Sequence, residues 1–174
     1  IALGHVHPDI NEAKIIATYH QTSRYHKLSL AQMQAGEMLL RQGGEFTDAG
    51  RELIEWASGD LKTYAQYCYD PDKGEFPARM TDGTLIDWEK ATEGYYIPES
   101  FAPAKPAGYL IWSYAMAYRL TGDESHWDIL SSMFEDLGLG ELGNPDHAGE
   151  NLNSATSNTD WQLIYALLEL HEST

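Results

Sequence analysis

Between residues 70 and 84 the chain reads DPDKGEFPARMTDGT, where two prolines, two glycines and three aspartates rule out a regular helix and surround one arginine. Arg79 offers a planar fork that can grip a carboxylate through two parallel hydrogen bonds, and the turn residues on either side would hold it in position. A guanidinium resists deprotonation, so a carboxylate contact suits Arg79 better than proton abstraction. Asp82, just before Gly83, either closes an Asx-turn or hydrogen-bonds a ligand. Trp88, Tyr95 and Tyr96 follow in LIDWEKATEGYYIPESFAPAKP, where no helical stripe accounts for an aromatic ring. They either stack on sugar rings or pack the loop onto its scaffold, and Lys90 and Lys105 add positive charge nearby.

A second group of chemically capable residues lies near the start of the chain. His5 and His7 form an H-x-H pair, and in extended backbone both imidazoles project to one side, a spacing that suits Zn²⁺ or a transition metal. His20 shares a stripe with Ile16 and Ala17, which reads either as an interior histidine or as a third metal ligand. Arg24 stands one helical turn after His20, and with His26 and Lys27 it makes the densest positive patch in the sequence. His126 and His147 read as exposed, while His171 rides the end of the last helix, where the macrodipole favours a cation.

The bulk numbers limit the partners. A formal charge of −16, from 11 Lys+Arg against 27 Asp+Glu, lacks the basic footprint that nucleic acids and anionic membrane surfaces require. An acidic saccharide is compatible, because a local cluster of arginine and lysine sets the potential inside a cleft whatever the outer surface carries. No run of eighteen apolar residues exists to span a bilayer. One cysteine, Cys68, on the apolar face of a helix excludes a disulfide scaffold and leaves the compartment open between periplasm, secretion and cytoplasm. There is no P-loop, GxSxG or HExxH motif.

The elements that must position these groups are helical. Apolar residues recur at helical spacing from Ala13 to Arg24, from Leu28 to Leu39 with Gly43 and Gly44 as the stop, and from Leu53 to Cys68 after Thr47 or Asp48 as the cap. GYLIWSYAMAYRL, residues 108–120, is apolar nearly all round and predicts an inner helix. Gly122 ends it, Asp123 caps the next, and Trp127, Leu130, Met133, Phe134 and Leu137 line that helix up to Gly138. A last helix starts at Asp160. Glycine stop followed by acidic start, repeated along the chain, is the junction expected of stacked α-hairpins. The fold class is therefore all-α, with antiparallel hairpins forming part of an (α/α) barrel or toroid. Residues 1–174 make one domain with a cleft loop at 70–105, a second long loop at 138–158, and room for a short β-hairpin.

AYRLTGDESHWDIL, DPDKGEFPARMTDGT and ALLELHEST together resemble the α/α-barrel polysaccharide lyases, most closely the family 2 pectate lyases, over roughly Gly36 to Thr174. The resemblance implies a toroid of helical hairpins, cleavage of polygalacturonate by β-elimination, and a divalent metal such as Mn or Ca held by two histidines and a glutamate. It also implies an arginine that takes the C5 proton and is followed directly by a metal-binding histidine. This sequence contains no Arg-His dipeptide, and the family's enzymes are longer. Set beside that reaction, the catalytic candidates are Arg79 and Arg24. The substrate-binding candidates are Asp82, Trp88, Lys90, Tyr95 and Tyr96, and the metal candidates are His5, His7 and His20. A glycoside hydrolase on the same scaffold, using paired carboxylates, and a non-catalytic carbohydrate-binding or scaffold fragment are the alternatives.

Overall fold

The computed structural model describes residues 15–16, 19–77, 79–80, 85, 103–149, 151–153, 155 and 160–173, with side chains from Leu28 onward except those of Arg79 and Met80. Five helices dominate the described residues. The first hairpin joins α1 (Tyr19–Gln42) to α2 (Thr47–Cys68) through Gly43 and a 3₁₀ turn at Gly44–Phe46. Two glycines let these helices meet: a Cβ on Gly36 would lie 2.7 Å from the Gly50 carbonyl oxygen, and one on Gly50 would lie 2.7 Å from that of Gly36. Where the sequence predicts two helices between Ala13 and Leu39, the described residues form one helix from Tyr19, preceded by strand β1 (Ile15–Ile16). Two adjacent β-branched residues favour the ladder there over continuing the helix. Thr47 and Asp48 do not cap α2 with their side chains, because the 3₁₀ turn runs directly into it and the Thr47 amide bonds the Gly44 carbonyl.

Helix α3 (Gly108–Thr121) is the centre of the core, as its all-round apolar sequence predicts. Leu110, Ile111, Tyr114, Ala115, Met116 and Ala117 are all at most 1% exposed. The buried Tyr114 hydroxyl donates to the Leu61 carbonyl at 2.7 Å, which removes the cost of enclosing it. Gly122, at φ 65°, stops α3, and Asp123 then caps α4 (Glu124–Asp136) by accepting from the Ser125 amide at 3.0 Å. Gly138, at φ 66°, follows the end of α4. The second long loop contains strand β3 (Gly140–Glu141), paired antiparallel with β4 (Asn151–Leu152), and leads to α5 (Gln162–Ser173). Asp160 links α5 back to α3, since its Oδ2 accepts from the Gly108 amide at 3.0 Å.

Helix α3 packs against α1, α2, α4 and α5, so α1, α3 and α5 form one row while α2 and α4 touch behind it. The row is held by Arg119 on α3, whose guanidinium grips Glu37 of α1 and Glu169 of α5. Helix α5 is apolar on both faces. Leu163, Ala166 and Leu170 are buried, whereas Trp161, Ile164, Tyr165 and Leu168 are about half exposed or more. Among the described residues no helix is long and apolar enough to cross a membrane.

Candidate functional site

The base of the loop singled out in the sequence is tied firmly to the helices. Tyr69 leaves α2 in extended conformation, and the chain then turns tightly, with the Asp70 amide donating to the Glu75 carbonyl at 2.9 Å and the Glu75 amide donating back at 3.3 Å. Gly74 supplies the left-handed residue of that turn at φ 61°, and its α-carbon faces the carboxylate of Asp136. Asp136 in turn accepts the Tyr69 hydroxyl, which also contacts Ser132. Burial and the Asp136 carboxylate both push the Tyr69 phenol up from its ordinary range, so it stays protonated as a donor. Phe76 pairs with Ala104 through both backbone hydrogen bonds, at 2.7 and 3.1 Å. Lys105 reaches back to the Lys73 carbonyl at 2.8 Å, closing the two ends of the insertion on each other.

Phe76 itself is a structural residue. Its ring is 3% exposed and stacks on Tyr64 at 5.1 Å, so it anchors the loop rather than facing a ligand. Replacing Gly74 with alanine would put a methyl against Asp136 in a backbone conformation that L-residues avoid. We expect a loss of about 2 kcal/mol, read as a lower thermal midpoint.

Beyond this anchor, strand β2 (Arg79–Met80) pairs antiparallel with β1, with Arg79 opposite Ile16 and Met80 opposite Ile15. The ladder places the backbone of Arg79 beside the chain four residues ahead of His20, at the entry to α1, which also carries Arg24. The structure thus brings the segment bearing Arg79 to the end of the fold where α1 begins. His5, His7, Asp82, Trp88, Lys90, Tyr95 and Tyr96 lie outside the described residues, as do the side chains of His20, Arg24 and Arg79. Among the described residues no three His, Cys, Asp or Glu side chains gather as a metal cage.

Two histidines near the helix ends behave differently. His147 is exposed, as expected. His126 is not: it is fully buried, and its Nε2 lies 2.7 Å from Ser58 Oγ. The clue lay in the spacing, since His126 precedes Leu130 by four residues and Phe134 by eight, on the same buried stripe. A Ser-His contact invites comparison with an activated nucleophile, but Ser58 is only 7% exposed and His126 Nδ1 has no hydrogen-bond partner to orient the ring. The pair is structural. Burial lowers the His126 pKa to about 4, the Asp123 charge opposing and the Lys62 charge adding to that effect. The imidazole is therefore neutral at pH 7.

Two of the concavities lie between described helices. One, of about 330 Å³, lies between α2 and α4 and is bordered by Lys62, Gln66, Ser125 and Asp128. At its edge Lys62 pairs with Asp123 at 2.6 Å, and that hydrogen bond holds the Asp123 carboxyl well below the usual range. The other, of about 460 Å³, lies between α1 and α2 beside Trp56. Neither was visible as a motif. Compared with known families, the chain matches the model for periplasmic pectate lyase over residues 2–174.

Proposed function

The chain belongs to the periplasmic pectate lyase family, and from that membership we propose that it takes part in cleaving polygalacturonate, or oligogalacturonides, by β-elimination in the periplasm. The match across nearly the whole sequence carries this reading. The anchored loop supports it, because a turn pinned at Phe76 and Ala104 and a ladder at Arg79 are what a positioned arginine needs.

The reaction removes the proton from C5 of a uronate, forms a double bond between C4 and C5, and expels the glycosidic oxygen from C4. It needs a base at C5, a cation on the carboxylate to acidify that proton, and a donor for the departing oxygen. In our reading Arg79 binds the carboxylate bidentately and Arg24, on α1, is the second catalytic arginine. Asp82 and Lys90 hydrogen-bond the sugar while Trp88, Tyr95 and Tyr96 stack on it. A divalent ion such as Mn or Ca, with His5, His7 and His20 as its proposed ligands, supplies further charge neutralisation at the carboxylate when bound. These proposed ligands all lie in the first twenty residues of the sequence. The row α1, α3, α5 backed by α2 and α4 fits one domain forming part of an α/α toroid, with the uncovered face of α5 as the seat of a further hairpin.

Incubation with polygalacturonate should produce an ultraviolet absorbance from the unsaturated product, and chelator should abolish it. New reducing ends without that chromophore would instead identify a hydrolase, and neither signal would leave a non-catalytic role. Arg79→Ala should lower kcat/KM about 10- to 100-fold, the worth of one hydrogen-bonded charge contact, with Arg79→Lys recovering only part of it.

A further inference from the structure

Glycine is a poor residue for a helix interior, and each of three in the first hairpin can be asked why it is there. Gly36 and Gly50 answer at once, since each permits the close approach of α1 to α2. Gly59 does not. It lies well inside α2, is exposed, and a Cβ built on it would meet nothing within 4 Å. No packing or backbone requirement explains the choice, yet its effect is plain: it leaves bare part of the lining of a shallow, open hollow of about 460 Å³, shared with Gln32, Glu55, Trp56, Asp60 and Thr63.

The lining has a distinct chemistry. Trp56 is 59% exposed and stacks on no other ring among the described residues, an unusual cost for the largest apolar side chain. Glu55 and Asp60 flank it, both exposed, and neither is in an ion pair among the described residues. The Thr63 hydroxyl donates to the Gly59 carbonyl at 2.9 Å, leaving its lone pairs as acceptors, and the Gln32 amide offers both donors and an acceptor. No lysine or arginine borders the hollow.

We propose that this hollow binds a neutral pyranose, with the C–H face of the sugar on the Trp56 indole and its hydroxyls donating to Glu55 and Asp60. A carboxylate accepts two vicinal hydroxyls well but repels a uronate, so the site takes a different class of sugar from the anionic substrate of the family's reaction. One open indole face beside an amide and a hydroxyl suits a flat sugar better than an organic cation, which is held by rings on several sides. Neutral side chains attached to an acidic polymer are one source of such a sugar.

The test is affinity electrophoresis of the 174-residue chain through gels containing neutral β-1,4-galactan or polygalacturonate. Galactan should retard the wild type, and Trp56→Ala should weaken that retardation about tenfold. Gly59→Gln should project a side chain into the hollow and weaken binding at least fivefold while raising the melting temperature by about 2 °C through better helix propensity. That opposite pair of effects separates a binding role from a merely structural one. Absence of retardation by galactan, or equal retardation of wild type and both variants, overturns the proposal. So does Trp56-dependent retardation by polygalacturonate alone. The ultraviolet assay reads the lyase separately, so failure of one leaves the other standing.

Discussion

Replacing Arg119 with alanine should lower the unfolding free energy by about 3 kcal/mol, the cost of stranding two part-buried carboxylates without their shared partner. The Arg119 side chain is 13% exposed, and its guanidinium donates to both oxygens of Glu37, at 2.9 and 3.0 Å, and through Nε to Glu169 at 2.6 Å. The Glu37 and Glu169 side chains are only 19% and 15% exposed. They are also engaged elsewhere: Arg41 donates to Glu37 at 2.8 Å, and the Trp112 indole donates to Glu169 at 3.0 Å. The Arg119 hydrogen bond is the chief reason the Glu37 carboxyl sits below its ordinary range. An exposed ion pair contributes about 0–1 kcal/mol and fades with salt, whereas this one joins three helices under partial cover. Urea unfolding should show a lower midpoint at unchanged slope, with Arg119→Lys intermediate because an ammonium cannot reproduce the fork. A loss under about 1 kcal/mol would mean that apolar contacts alone hold the row of α1, α3 and α5.

Arg119 also shows where reading the sequence stops. Its helix, the glycine that ends it and the aspartate that starts the next were all legible, because each depends on residues within a few positions of one another. Helix α3 is buried on all sides as its composition requires, and Gly122 and Asp123 act as stop and cap. The partners of Arg119 are 82 and 50 residues away, and no local pattern connects them. The same reason hid Ser58 from His126, which are 68 residues apart. Local rules misled where pairing across the chain competed with them: Ile16 fits a helical stripe but joins a ladder with Arg79.

The candidate site divides along the same line. That residues 70–84 would be an ordered turn segment followed from proline, glycine and aspartate chemistry, and the described part of it is pinned by backbone pairing. Which end of the fold it reaches did not follow, since that is set by the β1–β2 ladder between residues 15–16 and 79–80. Chemistry proposed for Arg79, Arg24 and His20 rests on their sharing that end.

Acid should weaken the fold before its carboxylates protonate, through His126. Buried between α2 and α4, its imidazole is held neutral down to about pH 4, while in the unfolded chain it takes up a proton near 6.5. Because the folded-state value is depressed, the stabilisation is fully present above pH 6.5. It drains away as pH falls, since protons bind the unfolded chain first, and it is exhausted near pH 4. The full swing is about 3 kcal/mol, with burial as its main cause. Every neighbouring charge must be considered. Asp123 favours the charged ring and Lys62, to a lesser extent, disfavours it, and the two are themselves paired at 2.6 Å. Urea midpoints measured at pH 7.5, 5.5 and 4.5 should fall steadily in the wild type. His126→Asn, which can still bond Ser58 but cannot titrate, should start less stable and show a flatter profile over that range. Equal slopes in the two proteins would assign acid sensitivity to carboxylates such as Glu37, whose depressed pKa places its own contribution at lower pH.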